Sequence, residues 1–109
     1  MPRTEHYTAE GVRHEVTKDF DRLFAPYTVG RSPNWTPDAA TKDLISIGRW
    51  LDEELMRLGC NDADRKTQNG LYHRQTRSNS DYADVAADAL NAVLDGTVEQ
   101  NRVPHRRWG

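Results

Sequence analysis

The chain is 109 residues long, with 15 basic against 17 acidic side chains and a formal charge of −2. That length suits one domain, and so even a balance excludes a protein whose whole surface is tuned to a polyanion or an anionic membrane. Leu, Ile, Val and Phe supply 19 of the 109 residues, a share near the level at which disorder competes with folding, but the low net charge opposes disorder.

The expectation is therefore a folded domain with a thin core, of the kind that a second copy or a partner completes. A single cysteine, Cys60, and an opening MPRTEHYTAE without the apolar run of a secretory signal lead to a cytoplasmic expectation. No stretch reaches the roughly 18 apolar residues of a membrane span, so no membrane partner is expected.

In chain order, Val12, Val16, Phe20, Leu23 and Phe24 recur with the spacing of one buried helical stripe. Thr8 stands where an N-cap belongs, Glu10 suits the positive end of the helix dipole, and Pro26 closes the run. This predicts a first helix over about 9–24. APYTVGRSPNWTPD comes next, with Pro26, Gly30, Pro33 and Pro37 spaced to break helix and strand alike, and it reads as a loop anchored by Tyr27 or Trp35.

Thr36, Pro37 and Asp38 then read as N-cap, first helical residue and first-turn acid. Ala40, Leu44, Ile47, Leu51, Leu55 and Leu58 continue the stripe up to Gly59, a residue suited to a left-handed C-terminal position. A long second helix is predicted over about 37–58. Trp50 lies about 60° from Ile47 on the helical wheel, beside the main stripe, and is read as a partner-binding residue.

Tyr82, Val85, Ala86, Ala89, Val93 and Leu94, bounded by Ser80 and Gly96, predict a third helix over about 81–95. The fold class is thus all-α, with three principal helices, a domain over 1–96 and an extended tail over 97–109. The interval 65–80 between the second and third helices holds Arg65, Lys66, His73, Arg74 and Arg77 and no acid. It reads as a connector with the Asn69-Gly70 turn signal inside it and room for a short helix over about 62–68. Its charge is ascribed to the neighbouring acids Asp81, Asp84, Asp88, Asp95 and Glu99.

Chemical signatures are sparse. Glu10 and His14, with His6 a turn earlier, are two metal-type ligands without a buried third. Asn61-Asp62-Ala63-Asp64 opens like a calcium loop but lacks the glycine and glutamate that such a loop needs later. Cys60 succeeds a helix C-terminus beside Asp62 and Asp64, an environment that disfavours a thiolate. An enzyme would require His73, Cys60 or Glu10 to converge in one pocket. No catalytic residue, cofactor or metal is expected.

The favoured function is a non-enzymatic protein-protein interaction module, an assembly subunit, adaptor or regulator, with a bacteriophage or mobile-element origin in keeping with its compact character. Its partner is another protein or its own copies, met through Trp50 and the tail residues Arg106, Arg107 and Trp108, since Trp and Arg are enriched where binding energy concentrates. The alternative is nucleic-acid binding through Arg65, Lys66, Tyr72, Arg74 and Arg77 together with the tail, Tyr72 stacking on a base and the arginines meeting phosphates.

Overall fold

The computed structural model describes residues 6–32 and 34–96; the tail 97–109, with Arg106, Arg107 and Trp108, lies outside the described residues. Within them the chain is all-helical, in five α-helices: α1 (Ala9–Lys18), α2 (Phe20–Phe24), α3 (Ala39–Arg57), α4 (Asp62–Gln75) and α5 (Tyr82–Asp95), with a 3-10 turn over Ala25–Thr28 after α2. None is long and apolar enough to cross a membrane.

The first predicted helix is two. Thr8 caps α1 as expected, its Oγ1 accepting from the Gly11 amide at 3.0 Å. Asp19 then leaves helical geometry (φ −114°, ψ 21°), in keeping with the poor standing of aspartate in helix interiors. Its carboxylate is held by Arg22, which also reaches Glu53 on α3 at 2.9 Å. The break separates the apolar stripe into two destinations. Val12, Val16 and Leu23 enter the core, whereas Phe20 and Phe24 stack on one another (5.4 Å between centroids) and Phe24 stacks on Trp35 (5.9 Å). Trp35 thereby anchors the Pro-rich loop, with the Arg31 guanidinium 4.4 Å from its ring centroid.

The second predicted helix begins later than Thr36. Asp38 is the N-cap, its Oδ1 accepting from the Thr41 amide at 2.8 Å, and that bond holds the carboxyl below its ordinary value. At the other end Gly59 adopts φ 93°. The Cys60 amide donates to Leu55 O and the Gly59 amide to Met56 O, both at 3.0 Å, the paired bonds of a Schellman stop. Cys60 is thereby turned into the core and buried.

Helix α4 is the largest departure from the sequence reading, because the basic interval is mostly a helix that runs straight through Asn69-Gly70. Its buried residues are Asp64, Gln68 and Tyr72, one helical stripe by spacing but polar in two of three places, so apolar periodicity cannot reveal it. Asn69 does not turn the chain; its Nδ2 donates to Asp52 Oδ1 of α3 at 3.1 Å. α5 matches its expected span, capped by Asp81 and closed by Gly96 at φ 70°.

α3 touches every other helix, and α1 and α5 pack on it and on each other. Leu51 and Leu55 of α3, Leu23 of α2 and Leu90 of α5 are wholly buried, each contributing about 1.5–3 kcal/mol through removal from water. Trp50 belongs to this core. The thin composition is thus used economically: alanines 83, 86 and 87 of α5 are buried and let its neighbours approach closely.

Candidate functional site

The two sides of α3 are built differently. Toward α4 the contact is closed. Gly48 sits mid-helix where a Cβ would come within 3.0 Å of Tyr72 Cε2, so the missing side chain makes room for the tyrosine ring. Tyr72 is 0 % exposed, its hydroxyl donates to Leu44 O at 2.8 Å, and burial raises its phenol well above the ordinary value.

Toward α1 the contact is open. A cleft of about 730 Å³ lies between α3 and the N-terminal part of α1, lined by His6, Tyr7, Thr8, Glu10, Gly11, Val12, His14, Glu15, Trp50, Glu54 and Arg57. Trp50, Glu54 and Arg57 occupy one face of α3 by spacing. Tyr7 and Trp50 meet edge to face at 6.0 Å and form the aromatic wall.

Glu54 is 9 % exposed and is held from two sides: the Tyr7 hydroxyl donates to Oε1 at 2.9 Å and Arg57 Nη1 to Oε2 at 2.7 Å. A buried carboxylate needs such partners. The rim is clamped as well. The Asn91 side chain of α5 accepts from the Tyr7 amide at 2.7 Å and donates to Tyr7 O at 2.9 Å, and His6 Nε2 lies 2.6 Å from Asp95 Oδ1. Glu10, His14 and Glu15 on α1 are exposed, so the mouth carries carboxylates at its edge while the Tyr7–Glu54–Arg57 bonds fix the floor.

Several expectations are corrected here. Trp50, expected beside the main apolar stripe, belongs to the core at 6 % exposure and also lines the cleft. Tyr72 has no exposed face with which to stack on a base. Arg65 is half-buried; it donates to Cys60 O at 3.0 Å and pairs with Asp62 and Asp52, which makes it a brace between α4 and α3. Of the acids expected to complement the basic interval, Asp81 pairs instead with Arg13 at 2.8 Å and Asp95 with His6, while Glu99 lies outside the described residues. Lys66, His73, Arg74 and Arg77 are exposed.

Of the groups an enzyme would need to gather, Glu10 lines the cleft and His73 and Cys60 do not. Among the described residues no three His, Cys, Asp or Glu side chains are placed to hold a metal ion. The cleft residues that sequence reasoning passed over are Tyr7, Gly11, Glu15, Glu54 and Arg57. The usable signal lay in α3: the wheel that set Trp50 beside the apolar stripe also sets Glu54 and Arg57 beneath it.

Large apolar side chains that stand exposed among the described residues are Val29 (81 %) and Met56 (53 %), and neither lines the cleft. The concave, aromatic-backed, acid-edged surface is therefore the strongest candidate site on chemical grounds. No family model, curated protein or solved structure matches this chain.

Proposed function

We propose that this protein is a small, non-enzymatic interaction module, an adaptor or regulator, that holds a basic segment of a partner protein in the cleft between α1 and α3. The observation that carries the reading is the cleft itself: Glu10, Glu15 and Glu54 converge on a concavity whose wall is Tyr7 and Trp50. Carboxylates attract and orient a guanidinium, and aromatic walls favour the flat cation of arginine and the ring of a neighbouring aromatic residue. Because Glu54 is already bonded to Tyr7 and Arg57, the exposed Glu10 and Glu15 supply the exchangeable contacts, Glu15 giving up its surface pair with Lys18 at 3.5 Å. A single, buried cysteine suits a reducing, intracellular setting.

The test is a titration of a synthetic Arg-Arg-Trp-Arg-Arg-Trp peptide into the isotopically labelled chain, followed by NMR. Saturable shifts at the Trp50 indole and the Gly11 and Arg57 amides are expected, with affinity about tenfold weaker for the Glu10→Arg/Glu15→Arg double variant. Shifts spread over the surface, or binding indifferent to that double variant, would remove the reading.

A second reading keeps one specific support. Lys66, His73, Arg74 and Arg77 are exposed, and no carboxylate pairs with them among the described residues, so α4 and the turn after it present basic side chains suited to phosphate contacts. Single-stranded nucleic acid whose binding weakens steeply with salt and is abolished by Arg74→Glu/Arg77→Glu would favour it over the cleft.

A further inference from the structure

α4 turns an unmatched basic face to solvent. On its helical wheel Lys66, Gly70, His73 and Arg74 fall within about 100° of one another, opposite the buried Asp64, Gln68 and Tyr72, and Arg77 follows in the turn beyond. All of them are exposed, and among the described residues no carboxylate pairs with the basic ones.

Gly70, in the middle of that face, is a second and separate observation. Glycine is a poor helix former, and the one on α3 has a steric reason, since a Cβ on Gly48 would collide with Tyr72. A Cβ on Gly70 would meet nothing within 4 Å, so the described molecule itself gives no reason for glycine there. What the bare backbone permits is close approach by a surface from outside, with cations on either side to hold it.

Resting on the reading of the cleft as a receptor for basic segments, we infer that the segment is α4 of a second copy of this chain, its exposed face laid across the mouth between α1 and α3. Charge sets the pairing: Lys66, Arg74 and Arg77 of one copy meet the exposed Glu10 and Glu15 of the next. The lengths agree, because Lys66 to Arg74 covers about 12 Å of helix and the α3 wall from Trp50 to Arg57 about 10 Å. One molecule cannot make the contact alone. Gly48, which meets Tyr72 of α4, and Trp50, which walls the cleft, stand about 160° apart around α3, so the two faces look in opposite directions. A single neighbour cannot satisfy both, and copies therefore add head to tail.

The experiment follows the weight-average mass of the full chain by sedimentation equilibrium up to about 1 mM. A mass that climbs from 12.5 kDa past two chains at low salt and falls back as salt rises is expected. Glu10→Gln/Glu15→Gln and Arg74→Gln/Arg77→Gln should each weaken association about tenfold. An equimolar mixture of the two associates again but stops at a pair, because each member offers one working face. Gly70→Gln abolishes association while its denaturation midpoint stays at or above that of the parent, so that loss is not unfolding.

A mass fixed at one chain, a plateau at two, association that survives either double variant or Gly70→Gln, or a mixture no stronger than its parts each overturns the inference. So does a chain that stays single while single-stranded nucleic acid shifts its α4 amides, which would give that face to phosphate. The Arg/Trp peptide separates this inference from the one beneath it. Where the chain stays single, uptake of the peptide at the Trp50 indole and the Gly11 amide leaves the cleft as a receptor for an outside partner, while no uptake overturns both.

Discussion

Helix α3 presents two contacts, each organised by a buried tyrosine, that serve opposite ends. On the α4 side Tyr72 lies against Gly48 and donates to a backbone carbonyl of α3; its polar atom is satisfied locally and its ring is wholly buried. On the α1 side Tyr7 meets Trp50 edge to face and donates to a carboxylate, and the surface next to it stays open and polar. The difference lies in what stands opposite each ring. A glycine admits the ring and lets two helices close, whereas a tryptophan with a glutamate one turn on holds them apart. The first arrangement stores stability, and the second keeps a charged group fixed at the edge of water.

The comparison can be broken most forcefully on the closed side. Tyr72→Ala should cost about 3–5 kcal/mol in chemical denaturation, the range for emptying a buried aromatic site. Tyr7→Phe removes one donor from a charged acceptor that keeps Arg57, and should cost about 1.5 kcal/mol while shifting the Trp50 indole resonance. Gly48→Ala sets a helix-propensity gain of about 1 kcal/mol against overpacking of about 1–3 kcal/mol. With Tyr72 unable to move toward solvent, a net loss of about 1 kcal/mol is expected, and Gly48→Ala/Tyr72→Leu should be less destabilised than the two single changes add up to.

Alkaline pH sharpens the same contrast. The Tyr72 phenol is raised in the folded state by burial, with smaller contributions from Tyr82 and Asp43. Its contribution is therefore complete below the ordinary phenol range near pH 10 and falls away as pH rises beyond it. Denaturation midpoints followed from pH 9 upward should drop in the parent and drop less in Tyr72→Phe. Smallest of all, Glu10→Arg/Glu15→Arg should leave stability within about 0.5 kcal/mol, because both side chains are exposed, so its effect is confined to what the cleft binds. A large loss of stability there would show that the mouth of the cleft is structural.

Particular residues show why the fold was only partly legible. Thr8, Gly59 and Gly96 mark helix ends by local chemistry, and each acts as that chemistry requires. Asp19 was hidden inside a convincing stripe, since Phe20 and Phe24 have the right spacing for a core they do not enter. α4 was hidden for the converse reason. Its buried positions are occupied by Asp64, Gln68 and Tyr72, and polarity masks a helix whose stability comes from braces such as Arg65 with Asp52 and Asn69 with Asp52. The cleft was less legible still, because Tyr7, Glu10, Glu54 and Arg57 come from segments about 45 residues apart in sequence and meet only when α1 crosses α3.

Local pattern by itself determined an all-helical chain, the caps at Thr8 and Gly96, the stop at Gly59, and the core stripes of α1, α3 and α5, because propensity, capping and amphipathic period act within one or two turns. Only the tertiary structure decided that a basic, polar interval would be a helix, that Trp50 would be covered, and that three carboxylates would share one cleft with two aromatic rings. Those outcomes depend on which side chain stands opposite which. That is a property of packed helices, which no single helix contains.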